Sequence, residues 1–152
     1  MRKLLTSLLG LLFVFAWAQS AQAQEITFNG KKRKYVVRGE NRRRLVYSDL
    51  SSTDYLGHYD YLLSAGLNGQ LALGLSRYAP GGSTGDDLYA HQGEEAGIVV
   101  SGVLELTIEE EVYRLAAGDS FSFPSDLPHR YANPSDEETV VVWANTPITL
   151  RP

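Results

Sequence analysis

Val103-Leu104-Glu105-Leu106-Thr107-Ile108 alternates apolar and polar side chains without a break. In an extended chain successive side chains point to opposite faces, so Leu104, Leu106 and Ile108 share one face and Glu105 and Thr107 the other. The run decides the fold class because its neighbours repeat its form. Tyr35–Arg38, Leu45–Ser48, Asp60–Ser64, Leu71–Tyr78 and Gly97–Val100 precede it as candidate strands. Val112–Leu115, Ser120–Phe123, His129–Ala132 and Thr139–Ala144 follow it. Asn68-Gly69, Pro80-Gly81-Gly82, Ser101-Gly102, Ala117-Gly118-Asp119 and Asn133-Pro134-Ser135 supply turn signals between them. No long apolar stripe of helical period follows residue 23, so helices should be few. Short strands with one buried face each predict an all-β domain closed as a barrel or as two packed sheets. Leu71, Leu73 and Leu75 repeat the alternation and are expected on a buried face. Glu109-Glu110-Glu111 falls where a tight hairpin turn belongs, but it lacks Gly or Asn and repels itself, so a looser turn is expected there.

Residues 1–23 read as a leader rather than as part of the fold. Arg2 and Lys3 are basic, Leu8 to Ala18 is apolar apart from Gly10, and Ala21-Gln22-Ala23 places small residues where a signal peptidase cuts. The apolar run is short for a membrane span, and after cleavage no stable span is expected. The reading is therefore a periplasmic or secreted protein. The rest divides into residues 24–44, a basic arm or edge strand, and 45–152, a domain large enough for a single core.

Charge follows the same division. Residues 25–44 hold eight Lys or Arg against Glu25 and Glu40, while residues 45–152 hold four against sixteen Asp or Glu. Loss of Arg2 and Lys3 leaves twelve basic against eighteen acidic side chains, a net charge of −6 compared with −4 for the whole chain. A phosphate backbone would repel such a domain, so direct nucleic-acid binding is not expected. With no cysteine in the chain, neither a disulfide framework nor a thiolate ligand is available.

His91, Glu95 and His129 are the residues with chemistry to offer. Two imidazoles and one carboxylate suit a borderline divalent metal, and three protein ligands leave positions open for a small molecule. His91 and Glu95 lie four apart and can converge across one strand end and a short loop. Parity places Tyr131 and Asn133 on the face of His129, and Tyr89 on that of His91. Each residue also has a plainer reading, as a hydrogen-bonded structural histidine or a surface carboxylate. His58 is read as structural or exposed, Phe121, Phe123 and Trp143 as core, and Tyr55, Tyr59, Tyr61 and Tyr78 as sheet packing.

Two segments carry a family resemblance. Gly118-(5)-Pro124-x-Asp126-xx-His129-xxx-Asn133 resembles the second signature motif of the cupins, with Asp126 where the general pattern has Gly. Tyr89-x-His91-xxx-Glu95-(6)-Gly102 resembles the first, with Tyr89 at the place of its first histidine. The wider stretch from Tyr35 to Thr146 is similar to the C-terminal cupin domains of helix-turn-helix regulators, here without the helix-turn-helix. The resemblance implies a small cupin barrel, a double-stranded β-helix or jelly roll. It also implies one divalent transition metal (Fe, Zn, Mn or Ni) on His91, Glu95 and His129, and a homodimer. Tyr89, Tyr131 and Asn133 would line the ligand pocket.

Three functions compete at this point. The leading expectation is an exported metal-binding cupin that holds a small-molecule ligand. The second is a mononuclear metal enzyme, a non-haem Fe(II) oxygenase or a lyase or isomerase, with Tyr89 or Glu94 as the acid or base. A phosphonate epoxidase of the helix-turn-helix–cupin type is similar in its His-xxx-Glu…His spacing, but a phosphonate needs a cationic clamp, for which Arg77, Arg114, Arg130 and Arg151 are the available groups. The third is the effector domain of a transcriptional regulator, should the N-terminus be other than it reads.

Overall fold

A computed structural model describes residues 25–28, 31–45 and 57–148. The leader, Val46–Ser48, Tyr55 and Arg151 lie outside the described residues. The chain forms two units, one up to Asn41 and one from Arg42 onward. In the first, β1 (Glu25–Phe28) pairs antiparallel with β2 (Lys31–Lys34), Phe28 opposite Lys31. Asn29-Gly30, a strong hairpin signal, stands between the partners in sequence. The strand expected at Tyr35–Arg38 therefore falls four residues earlier, and Tyr35–Arg38 is irregular up to a short 3-10 turn at Gly39–Asn41.

The second unit is all antiparallel. Its strands are β3 (Arg43–Arg44), β4 (His58–Leu62), β5 (Ala72–Tyr78), β6 (Glu94–Ser101), β7 (Val103–Ile108), β8 (Glu111–Ala116), β9 (Ser120–Pro124), β10 (His129–Ala132) and β11 (Thr139–Thr146). One sheet runs β3-β4-β5-β11-β6-β9 and the other β10-β7-β8. The basic segment thus ends as an edge strand, with Arg43 opposite Leu62 and Arg44 opposite Tyr61. β7 and β10 have the limits that alternation predicts, while β6 starts at Glu94 rather than Gly97 and so carries Glu95 on a strand.

Val99, Leu104, Leu106, Phe123, Tyr78, Tyr131 and Val141 form the core between the two sheets. Burial of each such side chain stabilises the fold by roughly 1.5–3 kcal/mol. Leu104 and Leu106 face inward as expected. The expected face of β5 is reversed: Ala72 is fully buried, while Leu71 and Leu73 are 54% and 37% exposed and Leu75 is half-buried. The cause lies across the strand pair, where Trp143 sits opposite Gly74. A side chain at Gly74 would collide with the indole, and one at Gly97 would collide with Phe121. Small residues therefore face inward beneath two large rings, and the leucines take the outer face.

The β7–β8 connection is also tighter than expected. Ile108 pairs with Glu111, so only Glu109 and Glu110 turn the chain. Glu109 takes a left-handed φ of 52°, and its N–H donates to the Pro128 carbonyl at 2.7 Å. Strand register and that bond hold the turn against charge repulsion and the absence of glycine.

Candidate metal centre

Hydrogen bonds along one strand edge deliver the three residues to one place. The segment from Gly82 runs beside β10: Asn133 N–H donates to Gly82 O at 2.8 Å and Thr84 N–H to Tyr131 O at 2.9 Å. Tyr89 and His129 then exchange both backbone bonds, at 3.0 and 2.8 Å. Two residues on, His91 N–H donates to Ser125 O and Ser125 N–H to Gly93 O, both at 2.9 Å. Gly93 has φ 112°, and a Cβ there would strike the Thr146 carbonyl, so the chain can enter β6 at this angle only as glycine. Glu95 follows on the inner face of β6.

His91 Nε2 lies 3.3 Å from Glu95 Oε1, and His129 Nε2 lies 3.3 Å from Glu95 Oε2. One ligand atom from each residue falls within 4.8 Å of the others. Two donors about 2.1 Å from one metal ion, at roughly 90–110° to each other, stand roughly 3.0–3.4 Å apart, so the spacing fits a shared divalent ion. The tautomers fit as well. His129 Nδ1 is 2.7 Å from Leu127 O and His91 Nδ1 is 3.1 Å from Gln92 O. A carbonyl can only accept, so each Nδ1 carries a proton and each ring turns its Nε2 toward Glu95. His129 Nε2 is buried without a hydrogen-bond partner. Side-chain exposure falls from 10% at Glu95 and 8% at His91 to none at His129, so approach is from the Glu95–His91 edge.

Burial pushes the Glu95 carboxyl upward, but the adjoining His129 and His91 imidazoles and the Tyr131 hydroxyl outweigh it and hold it at about 2 instead of 4.5. The carboxylate is anionic across the physiological range and counters a cation. Tyr131 O–H donates to Glu95 Oε2 at 2.8 Å. Burial first, then the Glu95 charge, pushes the Tyr131 phenol well above its usual range, which keeps it a donor.

The other sequence-derived pocket residues separate in role. The Tyr89 ring lies 4.2 Å from the His129 ring and 6.3 Å from that of His91, packed beside both imidazoles. Asn133 faces inward, yet its Nδ2 donates to Tyr78 O, Ala79 O and Glu137 O, and its Oδ1 accepts from Ser135 N–H and O–H. That leaves Asn133 no group for a ligand: it staples the loop after β10 rather than lining a pocket. Glu94 alternates to the outer face and accepts from Ser122 O–H at 3.3 Å, so it is not the acid or base of this centre.

A second buried His–carboxylate pair escapes sequence reading. His58 Nε2 lies 2.8 Å from Asp60 Oδ1, which also accepts from Ser76 O–H. Trp143 Nε1–H donates to Ser76 Oγ at 2.8 Å, and His58 stacks on Tyr78 at 4.5 Å. His58 is thus structural and buried. Asp60 gives no warning because a carboxylate on an alternating strand reads as solvent-facing.

The fold is a small cupin barrel. Residues 74–145 match the family model described as Cupin domain. Over 83 residues the chain is 39% identical to the HTH-type transcriptional regulator PuuR of Escherichia coli (strain K12), covering 55% of this chain and 44% of that protein. Over 80 residues it is 31% identical to the polyketide synthase CurC of Streptomyces cyaneus, covering 53% of this chain and 51% of that one. The chain thus spans about half the length of the curated relatives it matches. Among solved structures, a sugar phosphate isomerase of the cupin superfamily from Silicibacter pomeroyi superposes with a TM-score of 0.61 at 22% identity, over 70% of this chain and 72% of the other. At that identity the likeness is one of fold.

Proposed function

We propose that the protein is an exported cupin that binds one divalent transition metal through His91, Glu95 and His129 and uses it to hold a small-molecule ligand. The observation that carries the reading is His129 Nε2, a fully buried nitrogen without a hydrogen-bond partner, 3.3 Å from one Glu95 oxygen while His91 Nε2 faces the other. A buried ring nitrogen 3.3 Å from a carboxylate oxygen, with no hydrogen bond of its own, is unfavourable; a cation between them satisfies both. When bound, the metal supplies a Lewis-acidic centre for ligand oxygens. The chain's own residues do the rest: Leu127 O and Gln92 O set the tautomers, Tyr131 O–H orients Glu95, and Tyr89 packs against the His129 ring.

Elemental analysis of protein purified without a His-tag tests this. About one transition-metal ion per chain is expected, lost in His91→Ala, Glu95→Ala and His129→Ala; full occupancy in all three variants would overturn it. A second reading, an effector-sensing domain of a regulator, is favoured by the similarity to the HTH-type regulator over 83 residues. N-terminal sequencing of the protein from its native host decides between them. A start at Gln24 supports export to the periplasm or beyond, and a longer intracellular form supports regulation.

A further inference from the structure

We propose that the ligand is a small oxygen chelator carrying at most one negative charge, of the 2-hydroxy or 2-keto monocarboxylic acid class, and that phosphate esters and dicarboxylic acids are rejected. The inference rests on the metal reading above and adds the chemistry of what the metal holds.

The cations decide it. Arg77 alternates with the buried Ser76 and Tyr78, so it points outward, where it pairs with Glu138 at 2.5 Å. Arg130 stands between the inward His129 and Tyr131 and reaches Glu105 at 3.8 Å on the outer side. Arg114 is exposed and opposite Glu105. Arg44 lies over the exposed Tyr59 ring at 4.1 Å, and Arg42 and Arg43 are exposed. Among the described residues of the barrel, every Arg is therefore directed outside, and none reaches the centre. No lysine occurs in residues 42–152.

Besides the two ligand histidines, the groups near the centre among the described residues carry no fixed positive charge. Tyr131 offers a hydroxyl, Tyr89 a ring face, and Glu95 its charge, with the carboxylate of Asp60 buried further along the same sheet. A divalent ion beside one carboxylate keeps a single net positive charge, which one anionic chelating group cancels. A second anionic group then meets a centre without net charge and, among the described residues, finds no cation to replace the water it gives up. Its uncompensated loss of hydration weakens binding on the order of 100-fold. Among the described residues the same geometry leaves a phosphonate without its clamp.

Cobalt(II) makes the test spectroscopic. The protein is stripped of metal, loaded with Co(II), and titrated with glycerate and 3-phosphoglycerate, which share a chelating head and differ at the far end; lactate and malate form a second matched pair. Visible Co(II) bands on loading are expected, with glycerate and lactate perturbing them at concentrations about 100-fold below those needed for their charged counterparts. Bands that respond to 3-phosphoglycerate or malate as readily, or that respond to neither monocarboxylate, overturn the ligand class while leaving the metal centre standing. No bands at all removes the centre, and the inference falls with it.

Discussion

Two buried His–carboxylate pairs sit on inward strand faces of this barrel, and they differ in how their polar atoms are used. At His58–Asp60 one carboxylate oxygen accepts from both the imidazole and Ser76 O–H, and Trp143 and Tyr78 close the cluster by a hydrogen bond and a stacked ring. At His129–Glu95 the imidazole's Nδ1 proton goes backward to Leu127 O, and its Nε2 faces a carboxylate that Tyr131 and His91 also address. The first pair is a cross-link between strands. The second has a place for something that is not protein. A buried imidazole beside a carboxylate thus says little about function until each nitrogen has been assigned a role.

The most severe way to break this contrast is to exchange the outcomes of two substitutions. His129→Ala removes one of three donors and should weaken metal binding by more than about 100-fold, beyond what loss of an orienting partner causes. Competition with a chromogenic chelator measures it. Asp60→Ala should leave metal content unchanged while lowering the unfolding free energy by about 2–4 kcal/mol, because it takes the shared acceptor from His58 and Ser76 in the interior. Urea denaturation measures that loss. Metal loss in Asp60→Ala at full stability would erase the distinction between the two pairs.

The two pairs are not equally visible in the sequence. His91, Glu95 and His129 can be picked out because metal chemistry limits the residue types and a family spacing links them. Asp60 cannot, since alternation reports a period and not which face is inside. The same blindness reverses β5, where Leu73 and Leu75 look like core and Ala72, Gly74 and Ser76 fill it. Inside a small barrel, large rings from neighbouring strands occupy the space, and the strand beneath must supply small side chains. Strand limits at Val103–Ile108 are legible because the alternation begins after Gly102 and stops at Glu109, and those at His129–Ala132 because Pro128 and Asn133 bracket them. A strand at Tyr35–Arg38 is misplaced because β-propensity there outweighs the Asn29-Gly30 signal just before it. Parity marks Asn133 as a pocket residue, and only its hydrogen bonds reveal a loop staple.

Smaller effects sharpen the contrast. Tyr131→Phe keeps the ring in the core and removes one hydrogen bond to Glu95, so metal affinity should fall about 10–100-fold while stability changes little. An unchanged affinity would mean that the two imidazoles alone orient the carboxylate. Acid gives a further handle on the metal-free protein. Folding lowers the Glu95 carboxyl to about 2 from 4.5. Its stabilising contribution is therefore complete above about pH 4.5 and is lost as pH falls through that value toward 2. Denaturation midpoints of Glu95→Gln should accordingly be flatter than wild type between about pH 5 and 2, and parallel curves would contradict the shift.

The smallest effect separates stability from metal retention by raising the first alone. Glu109 holds a left-handed φ of 52° in a two-residue turn, a conformation that a side-chain-bearing residue adopts at a cost and glycine adopts freely. Glu109→Gly also takes one charge out of three adjacent glutamates. Part of the gain is offset because glycine makes the unfolded chain more flexible, leaving roughly 0.5–1 kcal/mol of stabilisation. The turn ends β7 at Ile108, opposite His129, so it tests whether a sturdier strand beside a ligand changes the centre. Equal metal affinity with a higher unfolding midpoint is the expected result. A change in affinity would mean that the backbone under His129, and not only its Leu127 hydrogen bond, sets the direction of the imidazole.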